Sequence, residues 1–268
     1  MPLQESNATP QHEVFAIRYA SVLRSRNANF LGGDPHDGPM ALDFFVWLIK
    51  SGDFRILVDT GFNMRTAEKR GRKLMRCPVD ALSSLGVQPE TIKDVVLTHL
   101  HYDHAGNLDK LPEARFHIQD DEVSFATGRC MCFDALRHSY SVDDVVTLVR
   151  SVYDDRVVFH SGDETIAPGI SLLKIGGHTK GLQAVRVHTR RGWVVLASDA
   201  SHYYENMDTG RPFPVVYNVA DMLSGYARLE AAAQTSEHII PGHDPLVLEK
   251  YPLLKGDCNI ALLHLDPI

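Results

Sequence analysis

The segment that most constrains this chain is Thr98-His99-Leu100-His101-Tyr102-Asp103-His104-Ala105-Gly106-Asn107, which follows directly on the apolar run Asp94-Val95-Val96-Leu97. Three histidines and one aspartate within six residues, at the end of a buried strand, are not explained by packing, because buried polar groups need partners. Imidazole and carboxylate together suit zinc, iron or manganese, and no cysteine stands nearby to suggest a structural cysteine-zinc site. A turn lets alternate residues face one cation and the intervening pair another. His99 with His101, and Asp103 with His104, therefore read as two half-sites.

Two ligands each leave both half-sites incomplete, so the chain should supply more, each from the end of a strand. Ile175-Gly176-Gly177-His178 puts a histidine in a tight glycine turn after a β run. Leu196-Ala197-Ser198-Asp199 ends an apolar strand on a carboxylate, and Ile240-Pro241-Gly242-His243 ends another on a histidine. A single Gly-His turn says little. The three in this order, after the first motif, give seven metal ligands: His99, His101, Asp103, His104, His178, Asp199 and His243.

The remaining texture is α/β. β-branched and aromatic enrichment predicts strands at 15–23, 41–49, 55–58, 94–98, 115–119, 157–160, 170–175, 184–188, 193–197 and 238–240. Residues 189–192 join two of these as a hairpin. Residues 66–86 read as mostly helical with a break at Pro78, and helices are expected at 120–126, 143–152 and 218–234, the last from its i, i+3, i+4, i+7 apolar spacing. Residues 32–39, rich in Gly, Pro and Asp, can only be a loop. Strands in two batches, each followed by helix, suggest two packed sheets with helices outside. Residues 1–12 are expected as a flexible tail and 13–268 as one domain.

Charge and composition narrow the partners. With 27 Lys and Arg against 34 Asp and Glu, the net charge is −7, and no basic run exists to follow a nucleic-acid backbone. The longest clean apolar run, 44–49, is far short of the roughly 20 residues a membrane helix needs, and the polar first residues lack a signal-peptide core. Cys77, Cys130, Cys132 and Cys258 do not form a disulfide pattern. These features point to a cytoplasmic protein acting on a small molecule, without nucleic-acid or membrane partners.

At this point the chain resembles the metallo-β-lactamase superfamily, whose signature is His-x-His-x-Asp-His followed by a distant His, Asp and His. The likeness runs from about Leu42 to His243 and fills every ligand position. It implies a four-layer αββα sandwich with the metal site at one edge of the two sheets. It also implies that His99, His101 and His178 hold one metal, that Asp103, His104 and His243 hold the other, and that Asp199 bridges them. The cations would be two divalent ions, zinc foremost, with manganese, iron or cobalt as substitutes. Asp59, in Asp59-Thr60-Gly61, would orient ligands from behind.

Within the superfamily the chain is similar to the N-acyl homoserine lactonase branch, through Asp43-Phe44-Phe45-Val46-Trp47 and through Asp199-Ala200-Ser201 followed by tyrosine and Glu205-Asn206. That likeness implies a lactonase opening a small cyclic ester by attack of a metal-bridging hydroxide, with Asp103 as proton shuttle. The branch keeps a substrate-contacting tyrosine three residues after the bridging aspartate. Here His202 stands there, with Tyr203 and Tyr204 next, so all three are candidates for the carbonyl contact. The pocket would draw on residues 32–39 with His36, and on Met207, Phe213 and Tyr217. A thiolester or other carboxylic-ester hydrolase is the second reading and a non-catalytic metal-binding sensor the third. A homodimer is implied by family likeness alone.

Overall fold

The computed structural model describes residues 9–268, so the first eight residues of the expected tail lie outside the described residues. The rest of that stretch is tied down. The His12 side chain is buried, its amide donates to the His188 carbonyl at 2.9 Å, and the His188 ring donates to the Pro10 carbonyl at 3.0 Å.

The long strands lack a polar face because both of their faces are covered. Glu13–Ser25 (β1) and Pro39–Ser51 (β2) form an antiparallel pair, joined by Phe54–Val58 (β3) beside β2 and Lys73–Leu74 (β4) beside β1. Asp94–Val96 (β5), Arg115–Gln119 (β6) and Val157–His160 (β7) then extend the sheet in parallel from β3. A second sheet holds Glu164–Ala167 (β8), Ile170–Lys174 (β9), Gln183–Thr189 (β10) and Gly192–Ser198 (β11) in antiparallel order. Ile239–Pro241 (β12) runs parallel to β11 at its edge. Leu253–Leu254 (β13) and Asp257–Leu262 (β14) return to the first sheet beside β1. The helices are Met64–Arg70 (α1), Asp120–Thr127 (α2), Asp134–Arg137 (α3), Val142–Tyr153 (α4), Tyr204–Asp208 (α5), Val219–Ala232 (α6) and Leu246–Lys250 (α7).

Three apolar clusters define four layers. On β2, Leu42, Phe44, Val46 and Leu48 face outward to a cluster that includes Phe125 of α2 and Val145 and Leu148 of α4. The alternate residues Phe45, Trp47 and Ile49 face the second sheet, meeting Ile170, Leu172, Val185, Val187, Val194 and Leu196. Ala184, Val195 and Ala197 turn the other way, onto Tyr226 and Leu229 of α6. Helix, sheet, sheet, helix is the αββα arrangement, and each large aliphatic or aromatic side chain buried in it contributes about 1.5–3 kcal/mol. No helix among the described residues is long and apolar enough to cross a membrane.

Two departures from expectation bear most on the layers. Helix α1 stops at Arg70 because Gly71 takes a left-handed conformation (φ 60°) that closes the helix end. The chain then hooks onto β1 through β4 and continues as a 3-10 turn at Asp80–Leu85, not as one long helix. The C-terminal strands β13 and β14 were not expected at all.

Candidate metal centre

Four loop ends converge where the two sheets meet. Strand β5 leads into the turn carrying His99, His101, Asp103 and His104. In the second sheet, β9 leads to His178, β11 ends at Ser198 (φ 48°) just before Asp199, and β12 leads to His243. The His178 turn needs its glycines: Gly177 has φ 83°, and a Cβ there would lie 2.5 Å from the Met222 amide nitrogen at the start of α6. The first sheet contributes a buttress. A bulge in β1 between Arg18 and Ala20 re-aims Tyr19, whose hydroxyl donates to the Asp103 carbonyl at 2.8 Å.

The side chains gather into two adjoining groups. His99, His101, His178 and Asp199 offer ligand atoms within 4.8 Å of one another, as do Asp103, His104 and His243. Asp199 also belongs to the second half of the site, since Oδ1 lies 3.0 Å from His243 Nε2 and 3.1 Å from His104 Nε2, while Oδ2 lies 3.1 Å from His178 Nε2. All seven candidate ligands thus meet in one place. A further group, Asp199, His202 and His243, adds His202 to the rim.

Whether these residues suit cations can be judged from their unused atoms. His99 Nε2 and His104 Nε2 are buried and have no hydrogen-bond partner. Their outer nitrogens are occupied. His104 Nδ1 donates to Asp59 Oδ2 at 2.7 Å, and His99 Nδ1 lies 3.1 Å from Thr98 Oγ1, whose own proton goes to Asp59 Oδ2 at 2.8 Å. His243 Nδ1 donates to the Asp43 carbonyl at 2.7 Å. Donation outward fixes the tautomer and leaves an inward lone pair, as metal-binding histidines require. His178 Nε2 and His101 Nδ1 lie only 2.9 Å apart, a contact that needs a proton or a cation.

Electrostatics agree. Burial, reinforced by neighbouring imidazoles, holds His99 and His101 well below the usual imidazole range, so both are neutral and able to ligate. Burial works in the same direction on His104 and His243, but the surrounding carboxylates together outweigh it and raise both, Asp199 with Asp59 and Asp103 at His104, and Asp199 with Asp103 at His243. Burial would raise Asp199, yet His202, His104, His243 and His178 hold it well below the ordinary carboxylate range. The carboxylate-rich half of the cluster calls for positive charge, and the donor set fits two divalent cations.

Asp59 stands behind the ligands as expected, fully buried, at φ 61°, accepting also from the Thr98 amide at 2.7 Å. Glu122 was not anticipated. Its buried carboxylate accepts from the Leu100 amide (2.9 Å), the Tyr140 hydroxyl (3.0 Å), the Thr179 hydroxyl (2.6 Å) and the Gly181 amide (3.1 Å), tying the His99–His101 turn to the His178 turn. In sequence it is one of three acids opening α2, which reads as ordinary helix-dipole pairing. Gln183 is similarly hidden: from the second sheet its amide reaches the Leu97 carbonyl of the first at 2.9 Å.

Above the cluster lies a cavity of about 220 Å³, lined by His101, Asp103, His178, Asp199, His202 and His243 together with Arg24, Arg70, Arg72, Tyr102 and Phe213, among others. His202 faces it, stacked flat on Phe213 (centroids 3.7 Å apart, planes 4° apart), with Nε2 3.1 Å from Asp199 Oδ2. The two tyrosines do not. Tyr203 is fully buried with its hydroxyl donating to the Ala41 carbonyl at 3.1 Å, and its backbone caps α5 with Asn206. Tyr204 packs beneath Lys250, and its amide donates to Asp244 at 3.0 Å. That corrects the expectation that one of these phenols meets the substrate. Phe213 lines the cavity as expected, whereas His36, Met207 and Tyr217 do not.

The chain matches the family model described as Metallo-beta-lactamase superfamily over residues 45–243. It is 29% identical to the N-acyl homoserine lactonase of a Bacillus sp over 223 residues, which cover 76% of this chain and 82% of that protein. It is 25% identical to the "Probable metallo-hydrolase" of Mycobacterium tuberculosis over 214 residues, 70% of this chain, and spans 66% of that relative's length. Among solved structures it is similar to an N-acyl homoserine lactone hydrolase with the product N-hexanoyl-L-homoserine bound at the catalytic metal center. The TM-score is 0.74 at 23% identity, covering 89% of this chain and 95% of that one, a likeness of fold. With the family match spanning most of its length and the αββα layers ending in this histidine-aspartate cluster, the chain belongs to the metallo-beta-lactamase superfamily.

Proposed function

We propose that this metallo-hydrolase is a lactonase that opens a small cyclic ester on a pair of divalent cations, with zinc the metal its histidine-aspartate set suits best. The observation that carries the reading is the pair of adjoining clusters sharing Asp199 on the floor of one cavity. His99, His101 and His178 would hold one cation, Asp103, His104 and His243 the other, and Asp199 both. Such a pair supplies, when bound, charge for the carbonyl and leaving oxygens and a water acidified toward neutral pH.

The chain's own groups do the rest. Asp103 is the most accessible of the carboxylates here, at 12% side-chain exposure against 3% for Asp199, so its Oδ atoms can take a proton and return it to the departing alkoxide. His202, held flat by Phe213, has its imidazole edge at the cavity, where a ring N–H can donate to the carbonyl oxygen as negative charge builds. The N-acyl homoserine lactonases among the relatives support an ester substrate.

Elemental analysis and a substrate panel test the proposal. Gently purified protein should carry close to two ions per chain and hydrolyse lactones faster than thiolesters or phosphodiesters. About one ion per chain, not raised by added zinc, sinks the paired site, and faster thiolester turnover sinks the lactonase.

A further inference from the structure

We propose that Arg24, Arg70 and Arg72 form an anion subsite on the wall of this cavity, so that the substrate is an ester or lactone bearing a second, charged oxygen group, carboxylate or phosphoryl. The inference rests on reading the cavity as the substrate pocket, and adds to it the class of substrate.

All three arginines line the cavity, and all three are half-buried. Among the described residues, none of them meets a carboxylate within 4 Å, whereas Arg18 pairs with Asp43 (2.9 Å), Arg26 with Asp34 (3.1 Å) and Arg211 with Asp34 (3.2 Å). Carboxylates are in excess in this chain, so the three are not unpaired for want of partners. Among the described residues, the only carboxylates lining the cavity, Asp103 and Asp199, belong to the candidate ligand set. Partly desolvated cations without counter-charge are costly to keep, and a charged ligand group would relieve that cost.

The guanidinium groups are also held in place in advance. Arg70 lies 3.9 Å over the Tyr102 ring and donates to the Tyr140 carbonyl at 3.0 Å. Arg72 Nε donates to the Tyr102 hydroxyl at 3.2 Å, so one tyrosine fixes two arginines. Arg24 lies 4.9 Å over Phe213, the ring that also clamps His202, and donates to the Ala28 carbonyl at 3.2 Å. Each guanidinium carries five N–H donors and spends one here on another protein group, leaving the rest to an oxyanion in the geometry that suits carboxylate and phosphoryl oxygens. A purely alkyl acyl chain would leave those donors desolvated against carbon, which selects against it.

Binding of uncleavable anions separates this subsite from the chemistry below it. Metal-loaded protein is titrated calorimetrically with glutarate, adipate and pimelate, and with the monocarboxylates of matching length, which can satisfy the metal end but not the arginines. Phosphonobutyrate replaces glutarate to distinguish a phosphoryl from a carboxylate preference. At least one dianion should bind about tenfold or more tighter than its monoanion. The preference should collapse toward parity in Arg70→Gln combined with Arg72→Gln. It should also fall in Arg24→Gln, on β1 rather than at the end of α1, where any repacking of Tyr102 is not at issue. A parallel comparison of kcat/KM for a lactone with a carboxylate-terminated side chain and its methyl-ended analogue should show the same preference and the same loss. Equal affinity for mono- and dianions at every length, or a dianion preference that survives all three arginine changes, overturns the subsite even if lactones are turned over. Dianion preference without hydrolysis of any ester leaves the subsite standing and removes the lactonase.

Discussion

A carbonyl contact from the turn after Asp199 depends on which side chain that turn aims into the cavity. Residue types alone could not fix the aim, because Ser198 takes a left-handed conformation and the Tyr203 amide donates to Asn206 Oδ1 to start α5. The turn delivers His202 to the cavity and buries both phenols behind it. Burial pushes His202 down to about 3, so it is neutral at ordinary pH and carries one N–H, which can turn to the substrate when Asp199 Oδ2, 3.1 Å from Nε2, is engaged by the cations. Removing a preorganised donor of this kind costs roughly 10²-fold in turnover. His202→Ala should therefore lower kcat on the best lactone by about that factor, more than it raises KM. Tyr203→Phe and Tyr204→Phe should each stay within about threefold of the parent. Steady-state kinetics with metal content checked for every variant decides this. If either phenylalanine variant loses tens-fold while His202→Ala keeps full kcat, the aim has been misjudged. The seven ligands were legible for a different reason: Asp199 and His243 sit just beyond the apolar strands β11 and β12, and the other five fall in the short turns that follow β5 and β9.

At the scale of elements, α4 shows how local pattern and tertiary setting can conflict. Asp143 and Asp144 in its first turn read as helix-dipole acids, worth about 0.3–1 kcal/mol each when exposed. Asp144 is instead buried, with Oδ2 unpartnered, and burial pushes its carboxyl up to about 6 despite a hydrogen bond from Ser141. A carboxyl raised in the fold above its unfolded value of about 3.9 favours folding when protonated. That contribution is full below about pH 4 and is lost as pH rises through about 6. Asparagine mimics the protonated form at every pH. Asp144→Asn should then be more stable than the parent by roughly 1–3 kcal/mol at pH 8, and no more stable at pH 4. Urea denaturation at the two pH values measures it, and a variant less stable than the parent at pH 8 refutes the assignment. Strands β13 and β14 escaped sequence reading for a related reason. Residues Ile260, Ala261 and Leu262 pair with Ile17, Ala16 and Phe15 some 240 positions upstream, and no local pattern announces such a partner. The helical texture over residues 66–86 misled because Gly71 and Pro78 leave only one true helical turn-run, Met64–Arg70.

For the whole molecule, the site is where the two sheets are held to each other. His99, His101, Asp103 and His104 follow β5 of the first sheet, while His178, Asp199 and His243 follow β9, β11 and β12 of the second. Bound cations would therefore cross-link the sheets at one end, alongside the Gln183 and Glu122 bridges. The opposite end of the second sheet, where β10 turns into β11 between Thr189 and Gly192, lies far from the cluster and is tied to the segment before β1 through His12 and His188 instead. Ligand binding to the folded state alone stabilises by about 2.7 kcal/mol at a hundredfold excess over Kd, and in a chain of this size each kcal/mol moves Tm by roughly 2–4 °C. Complete removal of two ions by chelation should then lower Tm by about 10 °C or more, and zinc, manganese or cobalt should restore most of it. The loss should also be local. Hydrogen exchange should accelerate on metal removal in residues 98–107, 176–181, 199–203 and 241–244, from both sheets together, while the turn at 190–191 keeps its rate. An unchanged Tm after elemental analysis has verified metal loss, or faster exchange confined to the segments of one sheet, would show that the cluster does not clamp the sheets. A cluster drawn from one sheet could bind metal without coupling the layers. This one spans both, so its occupancy and the stability of the sandwich should rise and fall together.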